Sequence, residues 1–241
     1  MIKNFTIFIL SIFDYFYQKK IIAFLKKNFF ITSVIDVGAH KGETVKLFCK
    51  NFDLISILCF EASLENFKIL EKEIKKIFKF FPNTKIVTNN LALGKTAGKL
   101  DFYQTYESSS STFNSINIKS KYYNQKKKLL GLHKNDNFFK ISKINIITLD
   151  QYFANGNSNE ISLLKIDTEG FEYEILQGAV KSLKKIKLVL LEHHYDDMID
   201  KNYTFSDINQ FLKTNSFINI FKAKMPFRKT FEYIFQNKDL S

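Results

Sequence analysis

The 241-residue chain has no tryptophan, two prolines, two cysteines and a single arginine, Arg228. Each scarcity excludes something. Cys49 and Cys59 fall on a predicted helix and a predicted strand, without the spacing or neighbours of a zinc site or a disulfide framework. They read as small core residues, as suits a reducing cytoplasm. Thirty-six basic residues against twenty-four acidic ones give a net charge of +12, a balance that ordinarily points to nucleic acid or a membrane. Nucleic-acid readers lean on arginine, whose planar fork grips bases and phosphates in pairs of hydrogen bonds. Here nearly all the positive charge is lysine. Abundant Lys, Asn, Ile and Phe without Trp read as a coding bias toward A/T-rich codons, so no nucleic-acid partner is expected. Long apolar runs are missing too. Phe5 to Phe13 is the longest near the N-terminus, interrupted by Thr6 and Ser11, and is too short to span a bilayer. It lacks the small-residue cleavage site of a signal peptide.

With 45% apolar residues the length suits one large domain with a full core. Residues 1–30 read as an N-terminal helical extension and residues 31–241 as the domain proper. Residues 3–28 fit an aromatic, lysine-flanked helix. It packs on the domain, covers a second subunit, or touches a membrane surface peripherally.

Strands and helices alternate, which argues for a parallel α/β sheet. Val34 to Val37 reads as a buried strand, Gly38 and Gly42 bracket a turn, and Glu43 to Lys50 reads as a helix. Such a turn sets unpaired backbone N–H groups and a positive helix end beside open space. The spacing is G-x-x-x-G, not the dinucleotide fingerprint G-x-G-x-x-G. Glycine turns also arise simply because strands must reach helices. Ile55 to Phe60 reads as the second strand, and Glu61 ends it. An acid there points into the crevice and can accept both hydroxyl hydrogens of a ribose. It can equally cap the next helix, Ser63 to Phe78. Lys85 to Asn90 reads as the third strand, where Asn90 contacts an adenine edge or forms a turn.

Glu107 to Phe113 is a hydroxyl-rich loop that reads as a solvated linker or, set between strand-like segments, as a loop on the substrate side. Residues 114–140 carry Lys119, Lys121, Lys126, Lys127, Lys128, Lys134 and Lys140 with Tyr122 and Tyr123 interleaved. They read as a solvated surface, or as a lid over an anionic acceptor. In Leu163 to Glu172 a buried strand ends in Lys165, Asp167 and Glu169, which alternation places on one side. Charges there are costly in a core but tolerable where the strand opens into a crevice; a local Lys–Asp ion pair with a capping acid is the plainer account. Lys187 to Tyr195 repeats the pattern, with Glu192 and His193 at its exit. A histidine there can take a proton from a hydroxyl, although a buried structural histidine is commoner.

Together, Ile35 to Gly42, Phe60-Glu61-Ala62, Asn90 to Gly94, Ile147 to Asp150, Leu164 to Glu172 with Leu176 to Ala179, and Glu192-His193 resemble the FkbM family of S-adenosylmethionine-dependent methyltransferases. The matching blocks run in order from about residue 31 to residue 236. The resemblance implies a Rossmann-like class I methyltransferase fold, with a seven-stranded, mostly parallel sheet whose last strand is antiparallel. It implies methyl transfer from S-adenosylmethionine to a hydroxyl of a sugar, glycan or related natural product. On it, Asp36, Gly38, Ala39 and Gly42 form the methionine-side pocket, Glu61 holds the ribose, Asn90 lies near the adenine, and Asp167 and Glu169 lie near the sulfonium or the acceptor. His193 is the first choice of general base and Asp167 the second. Asp167, Glu192 and His193 could hold a divalent metal, but no metal is assigned. A dinucleotide-dependent oxidoreductase and a non-catalytic cofactor-binding protein are the competing readings. A small-molecule or glycan acceptor, a cytoplasmic place peripheral to the membrane, and a homo-oligomer complete the expectations.

Overall fold

The computed structural model describes residues 17–129, 138–154, 160–226 and 228–240. Residues 17–28 are helical (α1). There follow β1 (Ser33–Val37), α2 (Glu43–Asn51), β2 (Ser56–Phe60), α3 (Leu64–Phe80), β3 (Lys85–Asn89), β4 (Ala92–Leu93), β5 (Gly98–Thr105), α4 (Lys121–Leu129), β6 (Phe139–Ile147) and α5 (Leu149–Tyr152). Then come β7 (Ile161–Ile166), α6 (Glu172–Gln177), α7 (Val180–Leu183), β8 (Ile186–His194), α8 (Phe205–Thr214), β9 (Phe217–Lys224) and β10 (Thr230–Asn237). Seven strands form one sheet in the order β3-β2-β1-β7-β8-β10-β9. Only β10 runs antiparallel to its neighbours, β8 and β9. This is the Rossmann-like class I methyltransferase arrangement that the family resemblance implies. The order reverses between β1 and β7, so their carboxyl ends open a crevice at the switch point.

The central strands are buried on both faces and read as nearly continuous apolar runs. One face packs Ile35, Val37, Leu164, Ile166, Val189 and Leu191 against α6, α7 and α8. The other packs Val34, Ile57, Leu163, Leu188 and Leu190 against α1, α2 and α3. On that second face α1 docks through Tyr17, Ile21, Ile22 and Leu25. Tyr17 donates its hydroxyl to the Ala223 carbonyl at 3.0 Å, and the Phe24 and Phe221 rings lie 4.4 Å apart. The described part of the N-terminal extension therefore packs on the domain; residues 3–16, also read as an oligomer or membrane contact, lie outside the described residues. No helix among the described residues is long and apolar enough to cross a membrane.

Three of the sequence blocks meet as packing. The Gly94 N–H donates to the Ile147 carbonyl at 3.0 Å, and the Asp150 N–H to the Gly178 carbonyl at 3.1 Å. A Cβ on Gly178 would lie 2.0 Å from the Gly94 oxygen, so only glycine fits. The Asp150 carboxylate accepts from the Lys181 and Ser182 N–H groups at 2.9 and 2.8 Å, capping α7.

A charged cluster is built into the middle of this frame. Asp36 of β1 and Lys165 of β7 are register partners in adjacent parallel strands. Lys165 Nζ lies 3.2 Å from Asp36 Oδ1 and 3.3 Å from Asp167 Oδ2. Asp36 is fully buried and Lys165 nearly so. Burial alone would push the lysine toward its neutral form, but Asp36 and Asp167 overcome this and hold its pKa well above the usual range. Removing one partner leaves an uncompensated buried charge. Lys165→Met should cost about 3–5 kcal/mol in urea unfolding, whereas the double variant Asp36→Leu/Lys165→Met should recover most of that loss. Additive losses would show that the two residues do not act as a pair.

Candidate functional site

At the carboxyl ends of β1, β2, β7 and β8 lies a cavity of about 760 Å³, a size that takes a drug-sized ligand. Its floor begins at the glycine turn. Gly38 has φ +82°, and a Cβ there would stand 2.0 Å from the Asp167 carbonyl oxygen, so the tips of β1 and β7 touch only because residue 38 has no side chain. His40 and Gly42 also adopt positive φ, and Gly42 caps α2.

The turn's N–H groups are not free. Gly38 and Ala39 both donate to the Phe60 carbonyl at 2.9 and 3.0 Å, and Gly42 donates to Ala39 at 2.9 Å. His40 donates its N–H to Glu61 Oε2 at 2.8 Å, and Lys41 donates its own to Glu43 Oε2 at 3.1 Å. The expectation of unpaired N–H donors in this turn is therefore not met: the turn is closed on itself by the end of β2. Burial would raise the Glu43 carboxyl, but hydrogen bonds from His40 and the loop hold it down to about 2.

Glu61 is both cap and wall. Its other oxygen accepts from the Ser63 N–H at 2.8 Å, ahead of α3, and the residue lines the cavity. Each carboxylate oxygen keeps a second lone pair for a ligand. Asn90 is placed otherwise. Its amide donates to the carbonyls of Glu61 and Ala62 at 2.9 and 3.3 Å. It tethers the wall from behind, while its neighbours Leu91 and Ala92 line the cavity. Asp36 and Gly42 likewise support the wall without lining it.

The opposite wall is the loop after β7. Glu172 is fully buried at the start of α6. Its Oε1 accepts from the N–H groups of Thr168 and Gly170 at 3.1 and 3.0 Å and from the Thr168 hydroxyl at 3.2 Å. Its Oε2 accepts from the Tyr203 hydroxyl at 2.7 Å. Wrapped around this carboxylate, the loop takes positive φ at Glu169 and Gly170, which turns Asp167 and Glu169 into the cavity. Sequence reasoning included Glu172 in a motif without a role; its partners, the Thr168 and Gly170 N–H groups on either side of Glu169, appear only in the folded loop.

The histidine pair at the end of β8 divides between the two faces. Glu192 and His194 line the cavity. His193 points the other way, with its ring among Tyr195, Phe205 and Tyr203 at 4.7, 5.6 and 6.0 Å. Burial lowers its pKa to about 3, and its Nδ1 has no hydrogen-bond partner among the described residues. The structure thus does not bring the expected base His193, nor an Asp167–Glu192–His193 metal set, to the crevice. The reason is strand parity: residues sharing a face differ by two, so Glu192 goes with His194. Burial would lower the His194 pKa, but Glu169 and Glu192 raise it well above the ordinary histidine value. Burial raises the Glu169 carboxyl to about 7, against His194 and Lys126.

The roof comes from segments that the sequence left open. Lys126 of α4 pairs with Glu107 at 2.9 Å and also bonds Ser110. The Ser108 hydroxyl lies 2.8 Å from His40 Nε2, joining the serine loop to the glycine turn. Tyr122, Gln125 and Lys126 line the cavity, so one face of the lysine-rich segment covers the crevice, while Ile116, Tyr123 and Phe138 of the same segment pack into a small core of their own. Tyr17 and Gln18 of α1 and Met225, Arg228 and Thr230 beyond β9 complete the wall.

The comparisons fit this architecture. The chain resembles, at 11% identity and a TM-score of 0.57, a methyltransferase FkbM from Methylobacillus flagellatus KT, with 86% of this chain and 43% of that one covered. It spans less than half of that protein's length. Magnesium protoporphyrin IX methyltransferase from Synechocystis PCC 6803 superposes with TM-scores of 0.54 with bound SAH and 0.51 with bound SAM. The identities are 8% and 9%, over 95% and 90% of this chain and 85% and 75% of that one. At such identities the likeness speaks for the fold. No curated protein matches by sequence. The sequence profile described as Methyltransferase FkbM domain matches residues 36–218, more than half of the chain and the whole stretch from the glycine turn to the start of β9, and the chain belongs to that methyltransferase family.

Proposed function

We propose that the chain is an S-adenosylmethionine-dependent O-methyltransferase acting on a hydroxyl of a sugar, glycan or related small molecule. The observation that carries the cofactor is the closed glycine turn beneath Glu61. A dinucleotide would need free N–H donors for its pyrophosphate, and here Phe60, Glu61, Glu43 and Ala39 engage them. A cofactor without phosphate makes no such demand. Glu61 suits a ribose diol, Leu91 and Ala92 offer an apolar shelf for a base, and Glu43 and Asp167 supply negative charge where a sulfonium and an ammonium would rest. When bound, S-adenosylmethionine supplies an activated methyl group.

The chain's own work is to place an acceptor oxygen in line and to receive its proton. Asp167 sits between the glycine turn and Glu169, with one oxygen held by Lys165, and we assign the proton to it. His194 replaces His193 as the histidine of the site. The roof of Ser108–Ser111, Gln125 and Lys126 is rich in hydroxyl, amide and ammonium groups, which suits an acceptor bearing several hydroxyls.

S-adenosylhomocysteine should raise the melting temperature through mass action. Glu61→Ala should weaken its binding by about 1–3 kcal/mol in calorimetry; unchanged affinity would remove Glu61 from the site.

Asp167→Asn should lower kcat by about 10²–10⁴-fold while S-adenosylhomocysteine affinity changes only a few-fold. Lys165 keeps Asp36 as its partner, so the fold should survive. His193→Ala should instead retain turnover and lose about 1–3 kcal/mol of stability from the aromatic cluster. The reverse pattern would return the base to His193.

With radiolabelled methyl donor, a panel of oligosaccharides and methyl glycosides should contain saturable acceptors. Methylation of RNA with none on any saccharide would overturn the acceptor assignment.

A further inference from the structure

Glu169, Glu192 and His194 each present one donor atom, and these atoms all lie within 4.8 Å of one another. His194 Nε2 stands 3.0 Å from Glu192 Oε1 and 3.2 Å from Glu169 Oε2. Yet Nε2 is shut off from solvent and has no hydrogen-bond partner among the described residues. A ring N–H must point along its bond at an acceptor to form a hydrogen bond. At these distances the nitrogen is close enough, but its direction is wrong. The three donor atoms bound a small space that no hydrogen bond through Nε2 spans.

Their spacing fits an ion in that space. Two ligands at right angles, each about 2.1 Å from a metal, stand about 3.0 Å apart. The other ring nitrogen is suitably engaged. Nδ1 lies 3.1 Å from Thr230 Oγ1 and 3.7 Å from Asp196 Oδ2. An N–H directed there leaves the Nε2 lone pair free, the usual arrangement behind a metal-bound imidazole.

The donors are also fixed in advance. Glu192 and His194 project from one face of β8, and Thr230 is the cross-strand partner of His194 on β10. The backbone on either side of Glu169 is bound to the buried Glu172 carboxylate. Two carboxylates balance a divalent charge, the ion taking the place of the proton that they hold on His194. That mixed set suits a first-row transition ion such as Mn²⁺, whereas Mg²⁺ and Ca²⁺ prefer oxygen alone.

We infer that Glu169, Glu192 and His194 bind one divalent first-row metal ion, of the Mn²⁺ type, on the acceptor side of the crevice. Three ligands leave coordination positions facing the cavity. An ion there lowers the pKa of a hydroxyl that reaches it, so its use in catalysis rests on the methyl-transfer reading, while the binding does not.

The test is titration of Mn²⁺ into the full chain after chelator treatment and dialysis, followed by electron paramagnetic resonance of the free ion. One saturable site per chain is expected, with nitrogen coupling from an imidazole in the bound-ion spectrum. His194→Gln and Glu169→Gln should each weaken binding at least tenfold, with melting curves recorded to confirm folding. No saturable binding to the folded wild type would overturn the inference and leave His194 as an imidazolium between two carboxylates. Binding without nitrogen coupling, or equally strong in both folded variants, would overturn it too by placing the ion elsewhere. Parallel titration with S-adenosylhomocysteine separates the readings: cofactor binding without Mn²⁺ binding removes only the metal.

Discussion

The crevice depends on a single lysine in the floor of the sheet. Lys165 joins β1 to β7 through Asp36 and then reaches Asp167 at the edge of the cavity. Asp36 and Lys165 inside an apolar sheet, with Asp167 at its edge, are tolerable only as a set, because the attraction between neighbours offsets the cost of taking each out of water. The set also fixes the chemistry above it. With Asp36 pinned, β1 stays in register beside β7, and the tips of the two strands meet at Gly38 with no room for a Cβ. Asp167 emerges from that contact already oriented, and the loop bearing Glu169 departs from it.

Much of the fold was legible because it rests on local signals. The apolar runs of β1, β2, β7 and β8 and the breaks between them mark a doubly wound sheet without tertiary information. The motif Leu164 to Glu172 marked the mouth of the crevice. What was not legible depends on groups far apart in sequence. The N–H groups of Gly38, Ala39 and His40 looked free because their acceptors, the Phe60 carbonyl and the Glu61 carboxylate, lie about twenty residues on. Asn90 looked like a base contact and is a brace for the backbone behind Glu61. The roof over the crevice needs α4 folded back through Lys126 and Glu107, a long-range ion pair that a lysine run does not announce.

His193 shows a different kind of miss, since the information was present in the sequence. Lys165, Asp167 and Glu169 were assigned one side by alternation, and the same reasoning applied to β8 groups Glu192 with His194. Two adjacent histidines cannot both face a crevice from one extended strand. The aromatic neighbours Tyr195, Tyr203 and Phe205 hold the other imidazole in its neutral form.

The cavity wall has two provenances. Most of it, from Val37 to Ile199, falls inside the stretch that matches the family profile, residues 36–218. Tyr17, Gln18, Met225, Arg228 and Thr230 also line it, and all five lie outside that stretch. The pocket is therefore closed by both ends of the described chain, and its wall is complete only when α1 and the residues beyond β9 are docked on the sheet.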